Sequence, residues 1–268
     1  MITCDVLGVG AANNGLGNQM FCIATTLALA DRNNVQAVFP DLKLGHYQYY
    51  GETIFHNLDK GTDKSFLSYE YRERPYTSTI YNKIPFLDNM KIVGHFQSYK
   101  YFDCCKDLIL DNFKISQEME NKIVNRYRVE VEGVTTSIHI RRGDYLNLIG
   151  HYEMLDSEYY SKALEHIGGV GTIFVFSDDI EWCEKNINLG EGKKIVFVKD
   201  QSDVEDLWLM TKMTNNVIAN STFSWWGAYL NQNENKKVVA PSKWFGPKRT
   251  KNNMLETKDL LPEKWIII

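Results

Sequence analysis

The chain has 268 residues, which is enough for one large domain or for two small domains with real cores. Its net charge of −4 argues against a nucleic-acid partner, because proteins that bind phosphate polymers usually carry a basic surplus. The sequence has no run of about 18 apolar residues, so no membrane-spanning helix is expected. Residues 1–5 lack the basic start and apolar run of a signal peptide, and the five cysteines show no zinc-ligand spacing. These features predict a cytoplasmic protein with reduced thiols and no bound metal.

The first half of the chain begins with the pattern of a βαβ unit. Residues 3–7 are predicted to form a strand, and residues 8–17 a glycine-rich turn. From Asn18 the apolar residues recur three and four positions apart, which predicts a helix. Residues 35–39 are predicted to form the next strand, which Pro40 closes.

Residues 41–130 are less regular. They are rich in Tyr, Asp and Lys and contain short apolar runs such as residues 91–94. A helix is predicted after Ser116.

The second half alternates short apolar strands with helices. Strands are predicted at residues 134–140, 172–176, 195–198, 217–219 and 238–240, and helices at residues 157–166, 180–186 and 203–213. Ser157 is the predicted cap of the first of these helices, and the strand at 238–240 is predicted to be the last. This pattern predicts a parallel sheet covered on both faces. We expect two α/β domains, 1–133 and 134–268, with a ligand cleft between them at the carboxyl ends of the strands.

The motif His-Ile-Arg-Arg-Gly-Asp-Tyr at residues 139–145 directly follows a predicted strand. Side chains alternate along a strand, so His139 and Arg141 share one face while Arg142 points to the other. One interpretation is that a guanidinium group binds a diphosphate while Asp144 holds one of the arginines. The alternative is a structural salt bridge between Arg142 and Asp144 at the strand end. Both interpretations hold together if Arg141 serves the ligand and Arg142 serves the structure or the acceptor.

The motif Phe-Ser-Asp-Asp at residues 176–179 also ends a predicted strand. Ser177 or Asp178 is a candidate cap for the following helix. The acidic pair has a second interpretation, in which it holds ligand hydroxyls or positions the arginines.

The motif Asn-Ser-Thr-Phe-Ser-Trp-Trp-Gly at residues 220–227 lies between a strand and a helix. Hydroxyl side chains and free N–H groups at a helix start are suited to phosphate. The alternative, which holds in part, is a Ser or Thr cap followed by two core tryptophans.

The motif Gly-Leu-Gly-Asn-Gln-Met-Phe at residues 15–21 allows close approach of the backbone to a ligand. The dinucleotide pattern Gly-x-Gly-x-x-Gly and a phosphate loop are both absent from the sequence, which argues against an ATPase. An Asp-x-Asp metal motif is also absent, so a cationic side chain is expected to stabilise a diphosphate leaving group.

Together these four segments resemble the bacterial α-1,2-fucosyltransferases of glycosyltransferase family 11. The resemblance implies a GT-B-like fold of two Rossmann-type domains. It also implies an inverting, metal-independent transfer of L-fucose from GDP-β-L-fucose to a galactoside hydroxyl, with an α-1,2 linkage in a surface glycan. The expected partners are GDP-fucose and an oligosaccharide or lipid-linked glycan acceptor, with no further cofactor. A cytoplasmic location, with transient association at the inner face of the membrane, follows from the same resemblance.

The resemblance also implies roles for individual residues. Arg141 is expected to contact the β-phosphate, and Asp206 to hold the guanine. The implied donor-binding residues are His139, Arg141, Arg142, Ser177, Asp178, Asp206, Ser221, Thr222, Ser224, Gly17 and Asn18. The catalytic candidates are Arg141, Asp144 and Glu153, of which the two acids are candidate general bases. Residues 9–14 depart from the family pattern, in which the first strand leads directly into the glycine motif.

Three other functions stay open at this point. The first is a GDP-fucose-dependent enzyme with another linkage or another acceptor, such as a chitin oligosaccharide or a peptide. The second is a non-catalytic nucleotide-sugar-binding protein, which would have no need of the arginine motif. The third is a phosphate-handling enzyme of unrelated fold, which the missing phosphate loop and metal motif disfavour.

Overall fold

The chain folds into two compact units. Unit 1 comprises Met1–Ser116 and Leu255–Pro262, and unit 2 comprises Gln117–Met254 and Glu263–Ile268. The computed structural model describes residues 1–6, 15–44, 47–61, 63–74, 79–128, 133–250 and 257–268. The sequence-based boundary at 133–134 lies further along the chain, beyond a helix whose Lys122 forms an ion pair of 2.8 Å with Glu205 of unit 2. Among the described helices, none is long and apolar enough to cross a membrane.

Unit 1 contains a small parallel sheet. Its strands are β1 (Ile2–Cys4), β2 (Tyr69–Arg72) and β3 (Met90–Val93), its helices are α1 (Leu16–Arg32), α2 (Tyr47–Glu52) and α3 (Lys106–Asn112), and 3₁₀ turns cover Pro40–Lys43, Tyr99–Tyr101 and Asp103–Cys105. The strand order is β1-β3-β2, and both neighbouring pairs are parallel. Helix α1 packs against β1 and β3, and nearly all of its residues from Leu16 to Ala30 are buried.

One prediction for unit 1 is wrong, and one of its strands was not predicted. Residues 35–39 do not form a regular strand, because only Ala37 bridges to Ile2 before a 3₁₀ turn begins at Pro40. The sequence also gave no sign of β2, whose residues Tyr-Glu-Tyr-Arg are mostly exposed and lack an apolar face. Most of the predicted glycine-rich turn, residues 8–14, lies outside the described residues.

Unit 2 contains a larger sheet that is parallel throughout. Its strands are β4 (Thr135–Ile140), β5 (Thr172–Ser177), β6 (Ile195–Phe197), β7 (Asn215–Val217), β8 (Val238–Ala240) and β9 (Ile266–Ile267). Its helices are α4 (Gln117–Arg126), α5 (Ser157–Ile167), α6 (Ile180–Asn186), α7 (Asp203–Thr211), α8 (Thr222–Leu230) and α9 (Pro247–Thr250), with a 3₁₀ helix at Gly143–Asn147. The predicted parallel sheet is confirmed.

The strand order of unit 2 is β6-β5-β4-β7-β8-β9. The chain therefore runs outward from β4 to β6 and then returns to the other side of β4 at β7. This is the Rossmann order, and its switch point lies between β4 and β7. Ligands of open α/β sheets bind outside the carboxyl ends of the strands at such a point. All six residues of β4 are buried. The strand therefore lies in the core, and the residues that follow it start from a fixed position.

Three local predictions for unit 2 are wrong. The last strand is β9 rather than β8. Helix α5 is capped by Asp156, whose carboxylate accepts the N–H of Tyr159, and Ser157 is its first residue. The strand predicted at 217–219 lies two residues earlier, at β7. Its polar Asn216 is tolerated in a buried strand because its Nδ2 donates to Ser137 Oγ at 2.7 Å.

Candidate active site

Three of the four sequence motifs meet at one edge of the unit 2 sheet. Strands β5, β4 and β7 are neighbours, and all are parallel. The motifs at 139–145, 176–179 and 220–227 therefore extend from the carboxyl ends of adjacent strands, on both sides of the switch point.

Arg141 is held by two carboxylates. Its Nη2 lies 2.6 Å from Asp144 Oδ1, and its Nη1 lies 3.0 Å from Asp178 Oδ2. The guanidinium also lies over the ring of Tyr145, 5.5 Å from its centre. The side chain keeps 30% of its surface exposed. Arg141 is thus a fixed cation that an incoming anion can still reach.

Arg142 has different partners. Its Nε lies 3.1 Å from Asp179 Oδ2, and its guanidinium carbon lies 3.3 Å from the centre of a Trp182 ring. The salt bridge predicted between Arg142 and Asp144 is therefore wrong. The 3₁₀ helix Gly143–Asn147 brings Asp144 back to Arg141, while Arg142 points towards α6. This stacked and paired geometry favours a structural role for Arg142 at the β5–α6 junction.

Asp178 joins the two strand-end loops. Its Oδ1 accepts the backbone N–H of Arg142 at 2.8 Å, in addition to the ion pair with Arg141. Gly143 makes this approach possible, because a Cβ at that position would lie 2.3 Å from Asp178 Oδ2. The interpretation in which an acid positions the arginines is therefore confirmed for Asp178.

The cap of α6 differs from the prediction of Ser177 or Asp178. Asp179 is the capping residue, and its side chain accepts the N–H of Trp182. Ser177 Oγ instead accepts the N–H of Asp179 at 3.0 Å. Asp179 combines two roles, because the same carboxylate holds Arg142.

His139 is buried near the end of β4. Burial, with a smaller contribution from the charge of Arg141, lowers its pKa to about 3, so the imidazole is neutral at pH 7. Its ring packs against Phe223 with a centroid separation of 5.4 Å. Its Nδ1 has no hydrogen-bond partner within the described part of the chain.

The start of α8 supplies three hydroxyl side chains. Ser221 caps the helix by accepting the N–H of Phe223, as the cap interpretation predicted. Ser224 Oγ donates to the carbonyl of Ser221 at 3.3 Å, so this buried hydroxyl is satisfied within the helix. Thr222 is half-buried in the first turn. The following Trp225–Trp226 pair is fully buried in the core, also as predicted.

Asn220 ties these loops together. Its Nδ2 donates to the carbonyls of Glu153 at 2.9 Å and Trp244 at 2.8 Å. Its own carbonyl accepts the hydroxyl of Tyr145 at 2.8 Å. The carboxylate of Glu153 is 35% exposed and lies 4.0 Å from Lys243 Nζ, which is a loose pairing.

Asp206 occupies the first turn of α7. Its Oδ1 accepts a hydrogen bond of 2.7 Å from Gln201 Nε2. Burial, together with the nearby Asp203 and Glu205, raises the pKa of Asp206 to about 7. Within the described residues, this partly buried carboxylate has one neutral side-chain donor, Gln201, so it is costly to keep charged, which is typical of a functional group.

Two predicted site residues, Gly17 and Asn18, lie in unit 1 in the first turn of α1. Asn18 Oδ1 accepts a hydrogen bond of 2.9 Å from Gln97 Nε2. Gly17 is buried within the helix.

The sequence did not single out several residues that shape the site. Tyr152 stacks on Tyr145 with centroids 4.0 Å apart, and Arg249 lies over Tyr152. Trp182 lies one helical turn after Asp179, and its ring stacks on the guanidinium of Arg142. Across the described residues, no cluster of three or more His, Cys, Asp or Glu side chains is arranged to hold a metal ion.

Comparison with known sequences identifies relatives over nearly the whole chain. The profile of glycosyl transferase family 11 matches residues 10–268. An alpha-1,2-colitosyltransferase of Escherichia coli is 27% identical, over 95% of this chain and 96% of that protein. The O-antigen biosynthesis glycosyltransferase WbnK of Escherichia coli is 38% identical over 60% of this chain. A galactoside 2-alpha-L-fucosyltransferase SEC1 of Bos taurus is 28% identical over 82% of it. The chain spans only 59% and 63% of the length of these last two relatives.

Two solved structures have a fold similar to that of this chain. POFUT1 in complex with GDP superposes with a TM-score of 0.53 at 12% identity, covering 89% of this chain and 97% of that chain. NodZ alpha-1,6-fucosyltransferase soaked with GDP-fucose superposes with a TM-score of 0.51 at 12% identity, covering 85% and 92%. These likenesses confirm the predicted GT-B-like α/β fold.

Proposed function

The chain belongs to glycosyltransferase family 11, and from that premise we propose that it transfers L-fucose from GDP-fucose to a galactoside hydroxyl, forming an α-1,2 linkage. The observation that carries the proposal is the guanidinium of Arg141. It lies at the switch point of the unit 2 sheet, held by Asp144 and Asp178 and partly exposed. A diphosphate leaving group needs such a cation.

The proposed reaction is a single in-line displacement. The acceptor hydroxyl attacks fucose C1 while GDP departs, so the β-linked donor sugar becomes an α-fucoside. Arg141 neutralises the charge that develops on the β-phosphate, and one fixed donor of this kind contributes about 3–4 kcal/mol in comparable sites. The absence of an Asp-x-Asp motif supports a cation rather than a metal ion in this role.

A general base is expected to take the proton of the acceptor hydroxyl. Asp144 is engaged by Arg141 at 2.6 Å, which disfavours proton transfer to this carboxylate. Glu153 is held only loosely by Lys243, and Asn220 fixes its backbone beside the start of α8. The geometry therefore favours Glu153 over Asp144 as the base.

Further contacts to the donor are proposed from the position of each residue. Ser221 and Thr222 lie at the N-terminus of α8, where N–H groups and hydroxyls suit phosphate. Ser224 points back into the helix and supports this turn. Asp206 is proposed to accept hydrogen bonds from guanine, and the neutral His139 to lie near the nucleotide.

A second donor deserves a direct test. The Escherichia coli relative that matches 95% of the chain is a colitosyltransferase. Colitose is fucose without its 3-hydroxyl, so a GDP-linked form offers the same diphosphate to Arg141. We also propose that the protein is cytoplasmic, that its acceptor is lipid-linked and that it associates transiently with the membrane.

The test is a transfer assay with purified protein and a chelator. GDP-fucose and GDP-colitose are each offered with β-galactosides, a chitin oligosaccharide and a peptide. Release of GDP together with an α-1,2-fucosylated galactoside, identified by NMR, is the expected result. A non-catalytic binding protein would bind GDP-fucose but would release no GDP from it. Transfer from GDP-colitose alone, or to the chitin oligosaccharide or peptide alone, would replace the proposed donor or acceptor.

A further inference from the structure

Unit 1 also presents polar side chains at the carboxyl edge of its sheet. Its three strands are parallel, so the segments that follow them emerge on the same side. Glu73 directly follows β2, Gln97 lies in the loop after β3, and Asn18 lies at the start of α1, which follows β1. This is the edge where open α/β sheets bind ligands.

The loop after β3 is built around the carboxylate of Glu73. Glu73 Oε2 accepts the N–H of His95 at 2.7 Å, and both of its oxygens lie 3.1 Å from the N of Phe96. Phe96 has a φ of +47°, a left-handed conformation that a non-glycine residue rarely adopts. Charge-assisted hydrogen bonds to two successive N–H groups stabilise such a turn.

Gly94, which precedes His95, shows how closely this loop packs against Glu73. A Cβ at Gly94 would lie 2.4 Å from the Cβ of Glu73, so only glycine allows the contact. On the other side, Cys22 Sγ donates to the carbonyl of Gly94 at 3.0 Å. Glu73 is largely buried, and burial raises its pKa to about 7 although the two N–H donors oppose that rise.

The fitted loop directs Gln97 towards Asn18. Gln97 Nε2 donates to Asn18 Oδ1 at 2.9 Å. The carboxamide oxygen of Gln97 takes no part in this bond. Both side chains are only partly buried. A carboxamide offers donors and an acceptor close together, which matches the neighbouring hydroxyls of a sugar.

We propose that Glu73 is a positioning residue that holds Gln97 against Asn18, so that this carboxamide pair binds hydroxyls of the acceptor sugar. The proposal deepens the proposed function and rests on it for the identity of the acceptor. Glu73 acts through the loop backbone and does not itself touch the sugar. Removing the carboxylate therefore weakens acceptor binding only as far as Gln97 is displaced.

The experiment is a double-mutant cycle of Glu73→Gln and Gln97→Ala, read as the acceptor KM with N-acetyllactosamine. Each single variant is expected to raise the acceptor KM about 3- to 10-fold, the range for one lost hydrogen bond. The donor KM stays unchanged. Glu73→Gln is expected to have no further effect in the Gln97→Ala background. The matched control is Glu70→Gln, which removes a surface carboxylate from the same strand.

Three results would overturn the proposal. The first is an equal effect of Glu73→Gln in both backgrounds, which is the behaviour of a merely structural residue. The second is an unchanged acceptor KM in Gln97→Ala, and the third is a rise confined to the donor KM. If Glu73→Gln fails to fold, Gln97→Ala and Gln97→Glu carry the test.

Ligand-observed NMR with N-acetyllactosamine, without a donor, separates this inference from the proposed function. A wild-type protein that binds the disaccharide but transfers no fucose contradicts the proposed function alone, provided that Gln97→Ala weakens the binding. A wild-type protein that binds no galactoside contradicts the inference.

Discussion

The rings of Tyr145 and Tyr152 stack nearly parallel, with centroids 4.0 Å apart and an interplanar angle of 10°. Each ring also faces an arginine, since Arg141 lies over Tyr145 at 5.5 Å and Arg249 lies over Tyr152 at 4.5 Å. Tyr145 is further fixed by its hydrogen bond to the carbonyl of Asn220. The stack thus connects the arginine loop to α9 and restricts the orientation of Arg141.

The first prediction tests this support. Tyr152→Ala removes the stacked ring and is expected to lower kcat/KM about tenfold, the upper range for one aromatic pair. Tyr152→Phe keeps the stack and loses only the hydroxyl that accepts from Arg249, so its kcat/KM should stay within about twofold. Transfer kinetics with both variants check this. An equal loss in the two would mean that the contact with Arg249, and not the stack, matters.

The second prediction concerns Arg141 itself. Arg141→Ala is expected to lower kcat about 100- to 1,000-fold, because the charge on the leaving group is no longer neutralised. Arg141→Lys keeps the charge but cannot reach Asp144 and Asp178 with two separate nitrogens, so it should recover only part of the rate. Arg72→Ala, at an exposed surface pair, is the matched control and should be neutral. Near-normal turnover in Arg141→Ala would refute the assignment of this residue.

The third prediction separates the two acids that hold Arg141. Asp178 is 25% exposed and bonds both Arg141 and the backbone of Arg142, whereas Asp144 is 58% exposed. Asp178→Ala should lower kcat about 10- to 100-fold by releasing the cation and its loop. Asp144→Ala removes an exposed ion pair worth about 1 kcal/mol or less, so its kcat should fall less than about fivefold. A loss of more than about 100-fold in Asp144→Ala would instead identify this acid as the base.

The location of the site in unit 2 followed from the sequence for a simple reason. Polar motifs came directly after apolar segments that had to be parallel strands, and the carboxyl ends of such strands share one edge. The buried run at β4 and the following His-Ile-Arg-Arg-Gly-Asp-Tyr motif are the plainest case. The cap at Ser221 and the buried tryptophans of α8 were predictable on the same local grounds.

The pairing of the charges was not predictable in this way. Whether Asp144 meets Arg141 or Arg142 depends on the 3₁₀ helix that follows β4, and the sequence carries no clear signal for this turn. The contact between Tyr152 and Arg249 joins residues 97 positions apart, which no local pattern reveals. Strand β2 escaped prediction because an exposed edge strand has no apolar alternation.

The fourth prediction concerns acid stability. The folded-state pKa of His139 is about 3, against an ordinary value of 6.5, because burial disfavours the imidazolium. Between these values the unfolded chain binds more protons than the folded one. The free energy of unfolding should therefore fall as the pH drops from 6.5 towards 3, by up to about 1.4 kcal/mol per pH unit from this group. His139→Gln should reduce this slope in urea titrations, while the exposed His56→Gln should not. An unchanged slope in His139→Gln would contradict the prediction.

The fifth prediction concerns Asp206, where stability and the proposed function oppose each other. Burial raises its pKa from 3.8 to about 7, with further contributions from Asp203 and Glu205, while Gln201 and Arg126 act in the opposite direction. The stabilisation due to the neutral carboxyl is present below the unfolded pKa and is lost as the pH rises through about 7.

Asp206→Asn stays neutral at every pH, so its midpoint of thermal unfolding should exceed that of the wild type more at pH 8 than at pH 5. If Asp206 also accepts hydrogen bonds from guanine, the same substitution should weaken GDP binding about tenfold or more, because a bond to a charged group is lost. Asp107→Asn, at an exposed position in the first turn of α3, is the matched control for both measurements. A stabilised Asp206→Asn with unchanged GDP affinity, measured by calorimetry, would confirm the titration and remove Asp206 from the donor site.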